Sequence, residues 1–192
     1  MLGWFGLSGE DGPGRADAML EALAGDLAAS GVRLAGAVQR NLDRGADCAC
    51  DMEMHLLGTA GDAGGTAVRI SQDLGAGSQG CRLDTGALEQ AAHRARGALA
   101  GADLVIVPKF GRQEATGRGF CDLIADALSR DLPVILHVPR QQRAAFAAYA
   151  GDLAHEVAPA RLAAWCRASA AARARRTPAA EAVERDPAQV GA

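Results

Sequence analysis

Apolar runs alternate with stretches of helical periodicity along this chain, and that alternation limits the folds available to it. Leu104–Val107 is an unbroken apolar run and residues 133–138 are nearly so, as is typical of strands covered on both faces. Apolar residues at helical spacing occur within residues 88–99 and 120–128. The alternation predicts an α/β fold of three layers, with a mostly parallel sheet and helices on both faces. The expected strands lie near residues 2–7, 32–38, 103–107 and 133–138.

Residues 41–66 interrupt this alternation because they are polar and rich in glycine. Within them, Met52, Met54 and Leu56 alternate with other residues, which favours an edge strand of an inserted β-hairpin. The 192 residues, 49% of them hydrophobic, suffice for one sizeable core, so we expect a single domain over residues 1–168. Residues 169–192 have no apolar stripe and are expected to form a disordered tail.

The composition argues against several classes of protein. A net charge of -3 and few aromatic residues (2 Trp, 1 Tyr, 4 Phe) disfavour a nucleic-acid-binding surface. No apolar run approaches the ~20 residues that span a bilayer, and the first residues lack the basic segment of a signal peptide. We therefore expect no membrane span and a cytoplasmic location. The 5 cysteines are irregularly spaced, which predicts reduced thiols rather than a disulfide framework.

The turn after Leu104–Val107 carries the strongest candidate site. Ligands of open α/β sheets lie outside the carboxyl ends of the strands, where this turn is expected. Its glycines allow a close approach of the backbone to a ligand. Its charged residues are therefore candidate oxyanion partners; they are Lys109, which is the sole lysine of the chain, Arg112, Glu114 and Arg118. The alternative is a solvated loop closed by ordinary salt bridges.

A glycine loop follows the first expected strand and precedes a helix. Gly9 and Gly14 have the spacing of a phosphate-binding G-x-x-x-x-G-K-[ST] loop, and Gly12 lies between them. Arg15 and Ala16 occupy the last two positions, so a positive charge is kept but the hydroxyl that would hold Mg²⁺ is absent. Gly9, Gly12, Gly14 and Arg15 are candidate phosphate ligands, and a plain strand-to-helix turn is the alternative.

A second polar, glycine-rich loop follows a short strand near residue 70. Its candidate donors to an oxyanion are Ser71, Gln72, Ser78, Cys81 and Arg82. The carboxyl ends of neighbouring parallel strands open on one edge of the sheet, so we expect this loop and the turn after residue 107 to share one pocket. A flexible turn that needs glycine explains the same residues without a ligand.

Two further features have structural alternatives that we favour. Cys48, Cys50 and His55, with Cys81, include soft-metal ligand types, but they lack the paired spacing of a structural zinc site, so no metal site is predicted. His137, near a strand end, fits a buried core histidine better than a catalytic one.

Five segments together resemble a bacterial domain-of-unknown-function family whose members are often encoded beside molybdate-transport genes. They are the glycine loop and residues 36–39 (GAVQ), 70–75 (ISQDLG), 80–84 (GCRLD) and 109–119 (KFGRQEATGRG). The resemblance covers about residues 1–155, and the last two segments are its most specific part.

The layout is also similar to small P-loop nucleoside triphosphatases of the thermophilic-archaeal phosphatase type. The resemblance implies a P-loop-like fold with degenerate Walker motifs. Arg15 and Ala16 replace the Walker A lysine and hydroxyl residue, and Pro108 and Lys109 stand where Walker B acids would follow the strand.

These features predict a nucleotide- or oxyanion-binding accessory protein with little or no hydrolysis of nucleoside triphosphates. The ligand is a small anion, either a nucleotide or, as the resemblance implies, molybdate or a related oxyanion. A homo-oligomer or a molybdenum-related protein partner is also expected. Two alternatives remain: an active nucleoside triphosphatase or nucleotide kinase in which Glu114 or Asp84 binds metal or acts as base, and a structural interaction domain. No catalytic residue is assigned.

Overall fold

A computed structural model of the chain describes residues 1–8, 14–42, 51–58, 67–72 and 83–176. Its seven strands are β1 (Leu2–Phe5), β2 (Leu34–Leu42), β3 (Asp51–Leu57), β4 (Ala67–Arg69), β5 (Leu104–Val107), β6 (Val134–His137) and β7 (Ala154–Glu156). Its α-helices are α1 (Arg15–Ala29), α2 (Thr85–Arg96), α3 (Cys121–Ser129), α4 (Arg143–Ala150) and α5 (Leu162–Arg176).

The strands form one sheet in the order β4-β3-β2-β5-β6-β1-β7. The five strands from β2 to β7 in this order are parallel, while β2, β3 and β4 pair antiparallel. The predicted α/β class, the parallel central strands and the inserted hairpin are therefore confirmed. The close pairing of β2 with β5 depends on Gly36, which has a φ of 99° and whose Cβ, if present, would overlap the carbonyl of Ile106.

Two hydrophobic cores cover the two faces of the sheet. Helices α2, α3 and α4 pack on one face through residues such as Leu88, Leu123 and Phe146. Helices α1 and α5 pack on the other through residues such as Leu20 and Cys166. The three-layer arrangement follows from the unbroken apolar strands, because β5 is fully buried on both sides.

The structure corrects three details of the sequence-based expectations. Strand β3 lies between β2 and β4, so β4 rather than β3 forms the sheet edge. Strand β7 was missed because it has three residues, two of them exposed, and no apolar pattern. Helix α5 continues to Arg176, eight residues beyond the expected end of the folded part at 168, because Ala and Arg favour a helix and Ser169 and Ala170 are buried. Residues 177–192 lie outside the described residues.

The connections that follow the neighbouring strands β1 and β6 pass over opposite faces of the sheet. After β1 the chain enters α1 on one face, and after the neighbouring strand β6 it enters α4 on the other. A reversal of this kind opens a crevice at the carboxyl ends of the two strands, which is where open α/β sheets bind ligands. Among the described residues, none of the helices has the length and apolar content required to cross a membrane.

Candidate functional site

The turn after β5 is anchored to the neighbouring strand β6 and to the core. Phe110 N donates to the carbonyl of His137 at 2.8 Å, and the buried Phe110 ring contacts Phe146 with centroids 5.2 Å apart. Lys109, immediately before it, is half-buried. The sole lysine of the chain is therefore held at the carboxyl edge by a fixed backbone, as the sequence predicted from its place after a buried strand.

Glu114 organises the inside of this turn. Its carboxylate is 4% exposed and accepts hydrogen bonds from Gly111 N at 2.8 Å through Oε2 and from Phe120 N at 3.1 Å through Oε1. The chain passes so close at Gly119, where φ is 59°, that a Cβ there would overlap the same carboxylate. The sequence proposed Glu114 as an oxyanion or metal ligand, whereas the structure shows both of its oxygens holding the backbone of the turn.

Lys109 acts electrostatically on three groups of this edge. Burial is the main cause of the raised pKa of Asp17 and of Glu114. The positive charge of Lys109 opposes both shifts. Burial, together with the charges of Lys109 and Arg143, lowers the pKa of His137 to about 4. His137 is thus a neutral side chain near neutral pH, with its ring 5.2 Å from that of Phe5. Lys109 therefore lies close enough to Asp17, Glu114 and His137 to influence the pKa of each.

The N-terminus of α1 forms the second part of the site. Gly14, the residue before the helix, has a φ of 83° and no side chain that caps the helix. Asp17 in the first turn lies half-buried, and Asn41 Nδ2 donates to its Oδ2 at 2.8 Å. Arg15 is exposed. A helix N-terminus favours anions, and the first turn of α1 already carries one carboxylate of the protein, that of Asp17.

Two concave regions flank the end of β2. A groove of about 590 Å³ lies beside α1 and includes Gly14, Arg15, Asp17 and Asn41. A cavity of about 220 Å³ lies under the hairpin and the turn after β5; apart from Gln39, Lys109, Arg112 and Glu114 it is lined mainly by apolar side chains, among them Met52, Met54, Ile70, Leu83, Leu88 and Phe120. Gln39 lines both regions. They are adjacent parts of one edge of the sheet.

The structure describes the loop after β4 only at its two ends, through residue 72 and from residue 83. Ile70 and Leu83, which flank it, line the cavity together with Lys109. Ser71 Oγ is buried and donates to Asp51 Oδ1 at 3.2 Å while accepting from Met52 N at 3.2 Å, so this hydroxyl stabilises the hairpin. Gln72 is exposed and donates to the Leu83 carbonyl at 3.5 Å.

The remaining predicted residues are separated. Arg112 lines the cavity, but Arg118 is exposed in a different depression with Glu89 and Asp122. Asp84 caps α2, since its Oδ1 accepts from Ala87 N at 2.9 Å. His55 lies 3.2 Å from Glu53 Oε2, and the described residues contain no metal-binding cluster. Gly9, Gly12, Ser78, Cys81, Arg82, Cys48 and Cys50 lie outside the described residues.

Sequence reasoning missed four residues of this edge. Asp17, Gln39 and Asn41 form a hydrogen-bonded cluster between α1 and β2. Arg143, which opens α4, packs over Gly6 and 5.7 Å from the Trp4 ring. Gln39 offered one signal, because a glutamine that ends an apolar strand is placed at the carboxyl edge. The other three depend on tertiary contacts.

Comparison with known proteins places the chain in a family. The sequence model of the family described as "Protein of unknown function (DUF2478)" matches residues 7–165, and the chain belongs to that family. It is also 36% identical over 138 residues to the molybdenum import ATP-binding protein ModC 2 of Bradyrhizobium diazoefficiens, over 71% of this chain. The chain spans only 15% of the length of that relative. No solved structure matches the chain. The predicted family resemblance and P-loop-like class are thus confirmed.

Proposed function

We propose that this DUF2478 protein binds a nucleotide at the carboxyl edge of its sheet and serves as an accessory protein in molybdenum metabolism, with little or no nucleotide hydrolysis. The observation that carries the proposal is the position of Lys109. It follows β5 at the point where a magnesium-dependent P-loop enzyme has an acidic residue, and its charge acts on Asp17, Glu114 and His137.

The charge arrangement of this edge differs from that in a P-loop enzyme. There the helix supplies a lysine and the strand supplies an acid; here the first turn of α1 supplies Asp17 as well as the exposed Arg15, and the end of β5 supplies Lys109. A cation fixed on the strand side still holds a phosphate group near the helix N-terminus. Catalysis with Mg²⁺ is less well supported, because Mg²⁺ is held by carboxylate oxygens, whereas both oxygens of Glu114 accept backbone N–H groups and Asp17 Oδ2 accepts from Asn41.

A nucleotide fits this edge better than a free oxyanion does. Molybdate is small and polar, so its binding needs donors alone. The cavity beside Lys109 is instead walled mainly by apolar side chains, which favour a ligand with an apolar ring as well as an anionic group. The link to molybdenum rests on the similarity to the molybdenum import protein, and molybdate is the second candidate ligand on that ground.

A ligand-screening melt tests the proposal. The full chain is heated with ATP, GTP, sodium tripolyphosphate, molybdate or sulfate, each in EDTA and then with Mg²⁺. A ligand at 100 times its Kd stabilises the folded state by about 2.7 kcal/mol, or about 5–10 °C for a chain of this size. We expect that shift with a nucleoside triphosphate. A shift with molybdate alone would favour the second candidate, and no shift with any ligand would favour a structural interaction domain and overturn the proposal.

A further inference from the structure

A buried hydrogen-bond acceptor without a partner belongs to a residue that lines the cavity beneath the hairpin. Gln39 is 3% exposed, and its Oε1 has no hydrogen-bond partner within the part of the chain that the structure describes. A buried amide oxygen without a partner costs about 1–3 kcal/mol relative to a satisfied one. Folded proteins leave few such groups, and each one calls for an explanation such as a ligand or a water.

The orientation of this amide is fixed by its neighbours. Gln39 Nε2 donates to Asn41 Oδ1 at 2.8 Å and lies 3.4 Å from Asp17 Oδ2. Asn41 is itself oriented because its Nδ2 donates to the same carboxylate at 2.8 Å. Turning the Gln39 amide over would bring Oε1 against two acceptor oxygens, so the side chain keeps its nitrogen toward Asp17 and Asn41.

The partners of the Gln39 nitrogen indicate where its oxygen lies. Asp17 and Asn41 line the groove beside α1 and do not line the cavity, whereas Gln39 lines both. With the nitrogen directed toward the groove residues, the geometry points to the oxygen as the group on the cavity side. An acceptor at that position selects for a ligand with an N–H or O–H donor.

The rest of the cavity defines the ligand further. Its volume of about 220 Å³ is below the ~300–1,000 Å³ of pockets that enclose a whole drug-sized ligand, so it holds a ring system and leaves the remainder of the molecule outside. Met54, Ile70 and Phe120 supply buried apolar walls. Lys109 and Arg112 line the same cavity and provide the positive charge for an anionic group.

We propose that this cavity is a base-binding subsite, in which Gln39 Oε1 accepts a hydrogen bond from the amino group of a nucleobase while the phosphates lie toward Lys109. This proposal rests on the proposed nucleotide function and adds the part of the ligand that is recognised. Nucleobases with an exocyclic amino group, those of adenine, guanine and cytosine nucleotides, have the required donor. The apolar walls contact the faces of the ring.

The test compares ligands with and without a base by isothermal titration calorimetry of the full chain in EDTA. The probes are ATP, GTP and CTP, and sodium tripolyphosphate, which carries the charge but no base. We expect at least one of the three nucleotides to bind wild-type protein about tenfold or more tightly than tripolyphosphate. In Gln39→Leu, which removes the acceptor at similar volume, that advantage falls about tenfold, while tripolyphosphate binding is unchanged.

A second variant tests the subsite independently of any folding defect in Gln39→Leu. Met52→Trp adds bulk at a half-buried position of the cavity wall and leaves Gln39 in place; circular dichroism confirms that each variant is folded. Loss of the base advantage in both variants supports the subsite. The subsite is overturned if wild-type protein binds nucleotides and tripolyphosphate equally. It is also overturned if the folded variants keep the full preference for nucleotides over tripolyphosphate. Either result leaves the proposal of anion binding intact. Absence of binding by all probes overturns the proposed function as well.

Discussion

The turn after β5 and the N-terminus of α1 lie at the same edge of the sheet, but they differ in whether a side chain accepts hydrogen bonds from their backbone N–H groups. The turn carries its own acceptor, because the buried Glu114 carboxylate accepts from Gly111 N and Phe120 N. Helix α1 begins at Arg15, after Gly14, which has no capping side chain, and the carboxylate of Asp17 in its first turn is hydrogen-bonded to Asn41. The turn therefore holds the backbone of Lys109 in a fixed position, and the helix end is the part of the edge suited to bind an anion.

The comparison predicts that the turn depends on Glu114 for its structure. Glu114→Gln keeps the shape of the side chain but places an amide donor against one of the two backbone N–H groups. Because a buried donor then loses its acceptor, we expect the free energy of unfolding to fall by about 2–3 kcal/mol, as measured by chemical denaturation.

Glu89→Gln is the matched control. Glu89 also accepts a backbone N–H of the same turn, that of Gly119 at 2.6 Å, but the residue is exposed. Water replaces the lost bond there, so the loss should be below about 1 kcal/mol. Equal losses in the free energy of unfolding of the two variants would show that burial of Glu114 does not determine its contribution to stability.

We expect Lys109 of the turn and Arg15 of the helix end to contribute unequally to binding. Lys109→Ala should weaken ATP binding about 10–100-fold, since a charge-assisted hydrogen bond is worth about 1.5–3 kcal/mol. Arg15→Ala removes an exposed cation and should weaken it less than about fivefold. Calorimetric titration gives both values, and Arg118→Ala, in a separate depression, serves as the control without an effect. A larger loss in Arg15→Ala would move the site to the glycine loop.

The smallest expected effect is a dependence of stability on pH. Burial, together with the charges of Lys109 and Arg143, lowers the pKa of His137 from 6.5 to about 4 in the folded protein. As the pH falls from about 6.5 to about 4, the unfolded chain binds a proton that the folded chain does not, so the folded state loses stability. We expect this loss to be about 1–2 kcal/mol after allowance for solvent screening.

The pH effect is checked by denaturation of wild-type protein and His137→Gln between pH 4 and 7. The variant should show a shallower decline over this window. His93→Gln, at an exposed position on α2, should retain the wild-type slope. Identical slopes in wild-type protein and His137→Gln would mean that another group accounts for the acid sensitivity.

The sequence predicted the central sheet and the position of Lys109 because both depend on local pattern. An unbroken apolar run such as Leu104–Val107 identifies a strand covered on both faces, and the residue after it must lie at the carboxyl edge. The short exposed strand β7 carries no such pattern.

The roles of single polar residues were harder to predict because they depend on contacts between distant segments. Glu114, in a charged glycine-rich turn, has the composition of a ligand-binding residue, yet the backbone wraps around it and buries it. The sequence cannot show that Asp17 and Asn41, 24 positions apart, fix the amide of Gln39. Arg143 reaches Trp4 only because α4 follows a strand that neighbours β1.

The central claim is that a cation on the strand side holds the phosphates without Walker-type use of Mg²⁺. Its most direct test is a titration of the full chain with ATP in EDTA and again with Mg²⁺, while phosphate release is followed in the same samples. We expect the Kd to change less than about threefold between the two conditions and phosphate release to stay at the level of a no-protein blank. Binding that tightens more than about tenfold with Mg²⁺, accompanied by steady phosphate release, would contradict the claim and identify a magnesium-dependent nucleoside triphosphatase.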